Sequence, residues 1–385
     1  MDGHIDELLR TGAALPGTIT LGGGLPTPEL FPRRALAGSF LRAVADPGGA
    51  ALQYGWPEGS EGLRAWVAGR LRLRGAEVDA GDVIITSGAQ QAIAVAAQVL
   101  FRRGSRVGCD AVSYPGALDL FRARGLEAVA AREGVEGFYV MPAVSTPRGR
   151  GMPEEARRAL LARARAARVP ILEDDAYAEI RFAGPPPRPL LAEDRARVWY
   201  IGTLSKTLCP GLRIGWLVPP RRHRKRALEA KQAEDLQSNS LTQALVEDFL
   251  KRNDYDALVA RASRFYGRRA RHLARALAHH LPELRFEMPE GGFTFWAETD
   301  LEGDDAALLE TAIRHGVSFD PGQMFRVNQA PSPIAMRLSF ATEPTPRQLE
   351  GVERLARALS AYRRARGRGR AGRAARASRA TRRAA

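Results

Sequence analysis

Short runs of β-branched and aromatic residues alternate with helical segments between about residues 46 and 220. The runs lie at 83–86, 106–108, 137–140, 169–172 and 198–201. This alternation predicts an α/β fold, with a mostly parallel sheet covered by helices on both faces. Ligands of such sheets bind at the carboxyl ends of the strands. Polar clusters that directly follow these runs are therefore expected to meet in one crevice.

A second, smaller unit follows the first. Apolar residues recur at helical spacing from Tyr255 to His280, where Leu281-Pro282 ends the helix. Beyond it, three strand-like runs surround a predicted helix at 304–315, which indicates an α+β unit. We predict an N-terminal arm (1–45) joining the small domain, a large α/β domain (46–270), the small domain (271–362) and a C-terminal tail (363–385).

Composition excludes several classes of protein. The chain has 385 residues, 45% of them apolar and 26% charged, as in soluble globular proteins. Its apolar runs are too short to span a membrane, and its acidic start lacks the basic region of a signal peptide. Cys109 and Cys209 form no closely spaced pair. We therefore expect a cytoplasmic protein in a reducing compartment.

The net charge of +15 is concentrated in the tail. Ten arginines and no acid lie between Arg363 and Arg383, and removing these ten charges leaves +5 for the rest of the chain. The tail has no apolar period, so we predict a disordered, solvated segment. Weak binding to nucleic acid or anionic surfaces is the alternative, although no nucleic-acid partner is expected for the folded part.

Lys206 stands among residues suited to hold a phosphate and a carbonyl cofactor. It lies in the segment 203–215, directly after the run 198–201. Its amine can form a Schiff base if burial or nearby cations keep it partly deprotonated. Thr203 and Ser205 offer hydroxyl donors, and Arg213 offers a permanently charged planar fork.

A second anion-binding element follows the run 83–86. Gly88, Ala89 and Gln90 open a predicted helix at 91–102, where free backbone N–H groups and the helix dipole attract a phosphate. An ordinary helix start capped by Ser87 is the alternative.

Acidic and aromatic residues are suited to contact the ring of such a cofactor. Asp174 follows the run 169–172 and is suited to face a protonated ring nitrogen, while Tyr177 can bond a ring oxygen. Tyr114, on a turn after another run, can stack on a ring. A helix cap or a magnesium-binding acidic pair is the alternative for Asp174, and simple packing is the alternative for Tyr114.

These segments together resemble the fold type I pyridoxal-5′-phosphate enzymes, specifically the class I/II aminotransferases. The branch is that of the aminoadipate-type aminotransferases and the MocR-type regulators, and the similarity covers about residues 20–362. The resemblance implies pyridoxal phosphate as cofactor, a seven-stranded-type sheet flanked by helices, and a homodimer with shared active sites. The implied function moves an amino group from an amino acid to a 2-oxo acid through a Lys206 Schiff base.

The resemblance also assigns roles to matching residues. Lys206 matches the lysine that binds the cofactor and shuttles the substrate proton, with Asp174 and Tyr177 as partners of the ring. The other matches are the phosphate cup (Gly88, Ala89, Gln90, Thr203, Ser205, Arg213), the stacking Tyr114, Tyr54 reaching the neighbouring subunit's phosphate, Arg337 pairing bidentately with the substrate α-carboxylate, and Gly23 and Gly24 lining the substrate pocket.

Two departures from the family pattern affect the expected reaction. Thr146 stands where the family commonly has an asparagine that supports the ring oxygen, and the stretch 132–138 is shorter than the usual connection. Elimination, cyclisation, decarboxylation or oxidation of an amino acid are the alternative reactions on the same scaffold.

Other classes fit the sequence less well. A MocR-type regulator would carry a DNA-binding domain of about 70 residues before this fold, whereas about 20 residues precede the first matching segment. The six histidines form no Glu-flanked helical pair, so no metal site is expected. No Gly-Lys-Ser/Thr follows the glycines at 22–24, which excludes a Walker loop there.

Overall fold

The computed structural model describes residues 3–131, 133–328 and 332–384. The helices are α1 (Gly3–Ala14), α2 (Arg33–Ala45), α3 (Glu61–Leu73), α4 (Ala89–Leu100), α5 (Pro115–Ala123), α6 (Glu154–Ala167), α7 (Arg224–Asp235), α8 (Ser240–Arg252), α9 (Tyr255–His280), α10 (Asp305–Arg314) and α11 (Thr345–Ala384). The strands are β1 (Ile19–Thr20), β2 (Ile84–Thr86), β3 (Arg106–Gly108), β4 (Glu127–Val129), β5 (Gly137–Val140), β6 (Ile171–Asp174), β7 (Val198–Thr203), β8 (Gly215–Val218), β9 (Arg285–Phe286), β10 (Thr294–Glu302), β11 (Val317–Ser318), β12 (Asp320–Pro321) and β13 (Pro333–Ser339).

The predicted central sheet is confirmed, with seven strands in the order β2-β8-β7-β6-β5-β3-β4. Pairing is parallel from β7 through β4, and only β8 runs antiparallel to its two neighbours within this sheet. The five predicted runs correspond to β2, β3, β5, β6 and β7. The carboxyl ends of β3, β5, β6 and β7 therefore lie along one edge.

Helices bury both faces of this sheet. Apolar side chains of α4, α5 and α9 pack on one face in a large core cluster, and those of α3, α6 and α8 pack on the other. Strands β6, β7 and β8 are buried along their whole length, as expected for a sheet covered on both sides. The core thus fixes the strand ends that carry the polar clusters.

The C-terminal unit has its own antiparallel sheet, in the order β12-β13-β10-β9. The first residues of the chain join it, because β1 pairs in parallel with β11 and α1 packs near α10. By contrast, α2 packs against α8 beside the large sheet. The exact boundaries of the predicted domains stay a prediction.

The tail differs from the prediction of disorder. Helix α11 begins at Thr345 and runs through the arginine-rich segment to Ala384. Alanine and arginine both have high helix propensity, and the segment contains no proline, so the absence of an apolar period did not imply an absence of helix. Residues 1–2 of the predicted arm, Arg132 of the short connection and Ala385 lie outside the described residues. Among the described helices, none is both long and apolar enough to cross a membrane.

Candidate active site

The predicted polar clusters meet at the carboxyl edge of the large sheet. Tyr114, at the start of α5, provides the clearest evidence. Burial, together with the charges of Asp174 and Tyr177, raises the pKa of its phenol to about 12, while the charges of Arg337 and Arg213 oppose the rise. One ring thus lies within electrostatic range of four residues that are far apart in sequence.

The Lys206 amine lies beneath the N-terminal glycine segment. Its Nζ donates a hydrogen bond of 2.9 Å to the carbonyl oxygen of Gly24 and lies 5.0 Å from the centroid of the Tyr177 ring. The Tyr177 hydroxyl donates to the same oxygen at 3.4 Å. The structure therefore brings Gly24, Tyr177 and Lys206 together, and the roles that the resemblance implies for them stay a prediction.

Asp174 is a buried carboxylate at the end of β6, only 2% exposed. It accepts hydrogen bonds from the Tyr139 hydroxyl at 2.6 Å and from the Ala176 N–H at 3.2 Å. Burial raises the pKa of Asp174 to about 6, although these donors and the charge of Lys206 oppose the rise. A carboxylate in this position is stabilised by a cation placed against it, such as a protonated ring nitrogen.

Hydroxyl and guanidinium groups form a cup beside the lysine. The Thr203 hydroxyl lies 2.9 Å from the Ser205 hydroxyl, and Arg213 Nη1 donates to Ser205 Oγ at 3.4 Å. Arg213 Nη2 donates to the Ser87 carbonyl at 3.1 Å, which ties the cup to the start of α4. These donors from two loops point to the binding of an anion.

The start of α4 is open, contrary to the alternative of a serine cap. Gly88 is the N-cap residue at φ 89°, and no described side chain caps the helix. The Ser87 N–H instead donates to Gln91 Oε1 at 2.8 Å. A Cβ at Gly88 would collide with the Arg213 guanidinium. The N–H groups of the first turn, from Ala89 onward, are therefore available to an anion beside Arg213.

The Gln90 side chain is directed elsewhere. Its Nε2 donates to the Gly116 carbonyl at 2.7 Å. It thereby links the first turns of α4 and α5, so a contribution of Gln90 to the cup would come from its backbone.

Arg337 is held by Asp320 on the neighbouring strand. Arg337 Nε and Nη2 lie 2.8 and 2.7 Å from Asp320 Oδ2, and the guanidinium carbon lies 4.7 Å from the centroid of the Phe325 ring. The Gly23 N–H donates to the same Oδ2 at 2.7 Å. The Nε edge of Arg337 is thus occupied, so bidentate binding of a substrate carboxylate would use Nη1 and Nη2.

Two predicted residues lie apart from these clusters. Tyr54 is 80% exposed and is therefore not packed against the cup of its own chain. Thr146 is buried in the loop after β5, where the adjacent Pro147 carbonyl accepts a hydrogen bond of 3.1 Å from Thr294.

The structure adds three residues that the sequence did not single out. Tyr139 donates a hydrogen bond to Asp174, and Asp320 holds Arg337. The third residue is Gly215, where a Cβ would lie 2.5 Å from the Gly88 carbonyl carbon. A tyrosine inside an otherwise apolar strand was the available signal for Tyr139. The other two depend on pairings between distant segments.

Residues 33–355 match the family model described as aminotransferase class I and II. The chain belongs to this family. The aminotransferase is 35% identical to the 2-aminoadipate transaminase of Thermus thermophilus over 92% of its own chain and 93% of that protein. It is 31% identical to the aromatic-amino-acid aminotransferase 1 of Thermococcus litoralis over 92% and 91% of the two chains.

A solved structure supports the same assignment. The α-aminoadipate aminotransferase LysN of Thermus thermophilus, complexed with N-(5′-phosphopyridoxyl)-L-leucine, has a TM-score of 0.83 and 33% identity, covering 93% of this chain and 94% of LysN. The predicted fold type I architecture and the assignment as an aminotransferase of the aminoadipate-type branch are thereby confirmed.

Proposed function

We propose that this aminotransferase uses pyridoxal phosphate bound at Lys206 to move an amino group from an α-amino acid to a 2-oxo acid. The observation that carries the proposal is that Lys206 Nζ and the Tyr177 hydroxyl both donate to the Gly24 carbonyl, while a Cβ at Gly24 would lie 3.3 Å from Arg337 Nη1. The amino donors that we propose have aromatic or acidic side chains, by analogy with the relatives named for 2-aminoadipate and aromatic amino acids.

The residues present fit this cofactor. The cup formed by Ser205, Arg213 and the open start of α4 would hold the phosphate. Asp174 would face the ring nitrogen, because its buried carboxylate is stabilised by a positive charge. Tyr114 would lie against the ring, and Lys206 would bind the aldehyde.

When bound, pyridoxal phosphate supplies an aldehyde that condenses with amines and a ring that accepts the electron pair left on the substrate Cα. The protein residues perform the remaining tasks. Arg337 would bind and orient the substrate carboxylate, while the Lys206 amine, once free, would take the proton from the substrate Cα and deliver it to the carbon that had carried the cofactor's aldehyde. The Gly24 carbonyl, which also accepts from the Tyr177 hydroxyl, holds that amine at the carboxyl edge of the sheet.

We further propose a homodimer in which Tyr54 completes the partner's phosphate site. Its side chain and that of Trp56 are 80% and 77% exposed on a loop that the Gln237 side chain holds through the Gly55 N–H. Large aromatic side chains exposed on a fixed loop are typical of an interface.

The direct experiment is to titrate the purified protein with pyridoxal phosphate, add single amino acids, and record absorbance together with keto acid and pyridoxamine phosphate formed. We expect a lysine-dependent cofactor absorbance that disappears in Lys206→Ala but persists in Lys225→Ala, a change of an exposed lysine. Absence of that absorbance would overturn the cofactor assignment. Absorbance without keto acid from any amino acid would overturn transamination.

A further inference from the structure

A separate cavity of about 470 Å³ lies beside the reaction site, at the carboxyl ends of β3 and β5. Its volume is in the range of small-molecule pockets. Within the described part of the chain, its wall includes none of the residues assigned to the reaction, although Ser145 and Arg148 in the wall flank Thr146 in sequence. The cavity thus lies along the same edge of the sheet as the reaction site but is not a part of it.

The cavity results from an unusually short connection between β4 and β5. Both strands pair in parallel with β3, so the chain has to return across β3 from one edge of the sheet to the other. Such crossovers usually need a dozen or more residues and contain a helix. Here residues 130–136 suffice, and those described contain no helix.

The path of the connection between β4 and β5 explains why a cavity remains next to α6. A Cβ at Gly108 of β3 would lie 3.1 Å from the Ala131 carbonyl oxygen, so the chain passes directly over the strand. The adjacent face of α6, including Ala156, Ala159 and Leu160, borders the cavity instead of packing against a crossover helix.

The cavity wall combines apolar and cationic groups. The apolar part includes Val112, Met141, Met152 and Leu160. Helix α6 starts beside it after Pro153, and none of the described side chains caps that start, but Glu154 and Glu155 in its first turn offset the positive end of the helix dipole. An apolar surface next to positive charge suits an amphiphilic anion.

Arginines supply most of the charge. Arg148 makes no hydrogen bond or ion pair with any residue that the structure describes, and its side chain is exposed. Arg150 forms ion pairs with Glu287 and Glu290 at 3.3 and 3.4 Å. Arg163 and Asp110, which also line the cavity, have partners of their own. Arg148 is therefore the group best placed to receive a ligand anion.

We propose that this cavity binds a small molecule with one carboxylate on an apolar chain or ring. The carboxylate pairs with Arg148, and the apolar part packs against Met152 and Leu160. This site is additional to the one for the amino acid, because none of the residues assigned to the amino acid lines the cavity.

The probe for this site is 1-anilinonaphthalene-8-sulfonate, an apolar anion whose fluorescence rises in apolar surroundings. We expect saturable binding to the full-length protein, with displacement by decanoate but not by equal concentrations of decanol or decylamine. Arg148→Ala should weaken binding about 5-fold through loss of one charge-assisted contact. Ala159→Glu, which places a negative charge in the wall, should weaken it about 10-fold or more.

Matched controls on α6 are Arg158→Ala and Ala162→Glu, both at exposed positions outside the wall. The proposal is overturned if the control and test variants bind the probe equally, or if decanol displaces it as well as decanoate does. All four variants should retain the Lys206-dependent cofactor absorbance. A failure of this second site is therefore distinguishable from a failure of the proposed reaction.

Discussion

Three consecutive acids at the end of β6 have different partners, and this difference determines which one faces the reaction site. Glu173 accepts the backbone N–H groups of Leu190 and Leu191 at 2.7 and 2.9 Å. Asp175 pairs with Arg74 at 2.7 Å and accepts from the Tyr200 hydroxyl at 2.9 Å. Glu173 and Asp175 are thus both engaged by other residues of the core, so Asp174 is the acid that remains available to a ligand.

Asp174 is expected to reduce the stability of the cofactor-free protein, although the proposed reaction needs this residue. Its pKa is raised to about 6 from an ordinary 3.8, so the native state holds a proton that the unfolded state releases, and stability falls as pH rises through this window. The shift corresponds to a decrease in the free energy of unfolding on the order of 3 kcal/mol above pH 6.

The substitution Asp174→Asn should therefore raise the melting temperature of the cofactor-free protein at pH 7.5 but not at pH 4. It should also lower transamination at least about 100-fold through loss of the charge facing the ring nitrogen. Calorimetry at both pH values and a keto acid assay provide the measurements. An unchanged melting temperature at both pH values would contradict the expectation that burying the Asp174 carboxylate destabilises the protein.

Asp320 is expected to compensate the charge of Arg337 when no substrate is bound. The two side chains are 8% and 12% exposed, so Asp320→Ala leaves a largely buried cation unpaired and should destabilise the protein by about 3 kcal/mol. Added propionate should raise the melting temperature of this variant more than that of the wild type, because it replaces the missing carboxylate.

The control for this experiment is Asp300→Ala, which removes an exposed partner of Arg363. It should change stability by less than about 1 kcal/mol, and propionate should not rescue it. Equal effects of propionate on the wild type and Asp320→Ala would show that Arg337 does not accept a ligand carboxylate.

At the scale of elements, local signals predicted those features whose determinants are local. Helix α9 occupies the predicted range because Asp254 caps its first turn and His279 and His280 lie in its last turn. Likewise, Asp174 and Lys206 were found because each follows an apolar strand directly. In both cases the evidence lies within a few residues of the element.

Features that depend on pairing between distant segments were not predicted. Strand β4 has three residues and is defined by its bonds to β3, and β8 is defined by its antiparallel insertion between β2 and β7. Asp320 and Tyr139 acquire roles only through contacts with a neighbouring strand. No local pattern indicates the role of Asp320, and the only local signal for Tyr139 is a hydroxyl in an otherwise apolar strand.

Gly215 is expected to be essential for the close approach of β8 to the start of α4. A Cβ there would lie 2.5 to 2.8 Å from backbone atoms of Gly88 and Ala89, which cannot move without displacing the anion site. Gly215→Ala should therefore weaken pyridoxal phosphate binding about 10-fold or more and lower the melting temperature. Absorbance titration measures the first effect.

Gly211→Ala is the matched control in the same segment, because a Cβ at Gly211 would meet nothing within 4 Å. It should leave cofactor affinity unchanged. Equal cofactor affinity of the two variants would contradict a role of Gly215 in shaping the cup.

At the scale of the whole molecule, the proposed homodimer would have Tyr54 of each chain complete the phosphate site of the other. We expect Lys206→Ala and Tyr54→Ala proteins each to have low activity alone. After subunit exchange, mixed dimers would contain one site with both residues intact, so about a quarter of the wild-type activity should return.

Sedimentation would verify the dimer in each preparation, and mixing Lys206→Ala with itself would control for the handling. Activity that never exceeds the sum of the separate proteins, although mixed dimers form, would place Tyr54 outside the partner's site.

The carbonyl oxygen of Gly24 connects the beginning of the chain to the chemistry of its centre. It accepts hydrogen bonds from Lys206 and from Tyr177, so whenever the lysine nitrogen is engaged elsewhere, the N-terminal segment loses one of these two tethers. The mobility of residues near Gly24 should then rise and fall with each turnover. Protease sensitivity in this segment would consequently report the chemical state of a lysine more than 180 positions away.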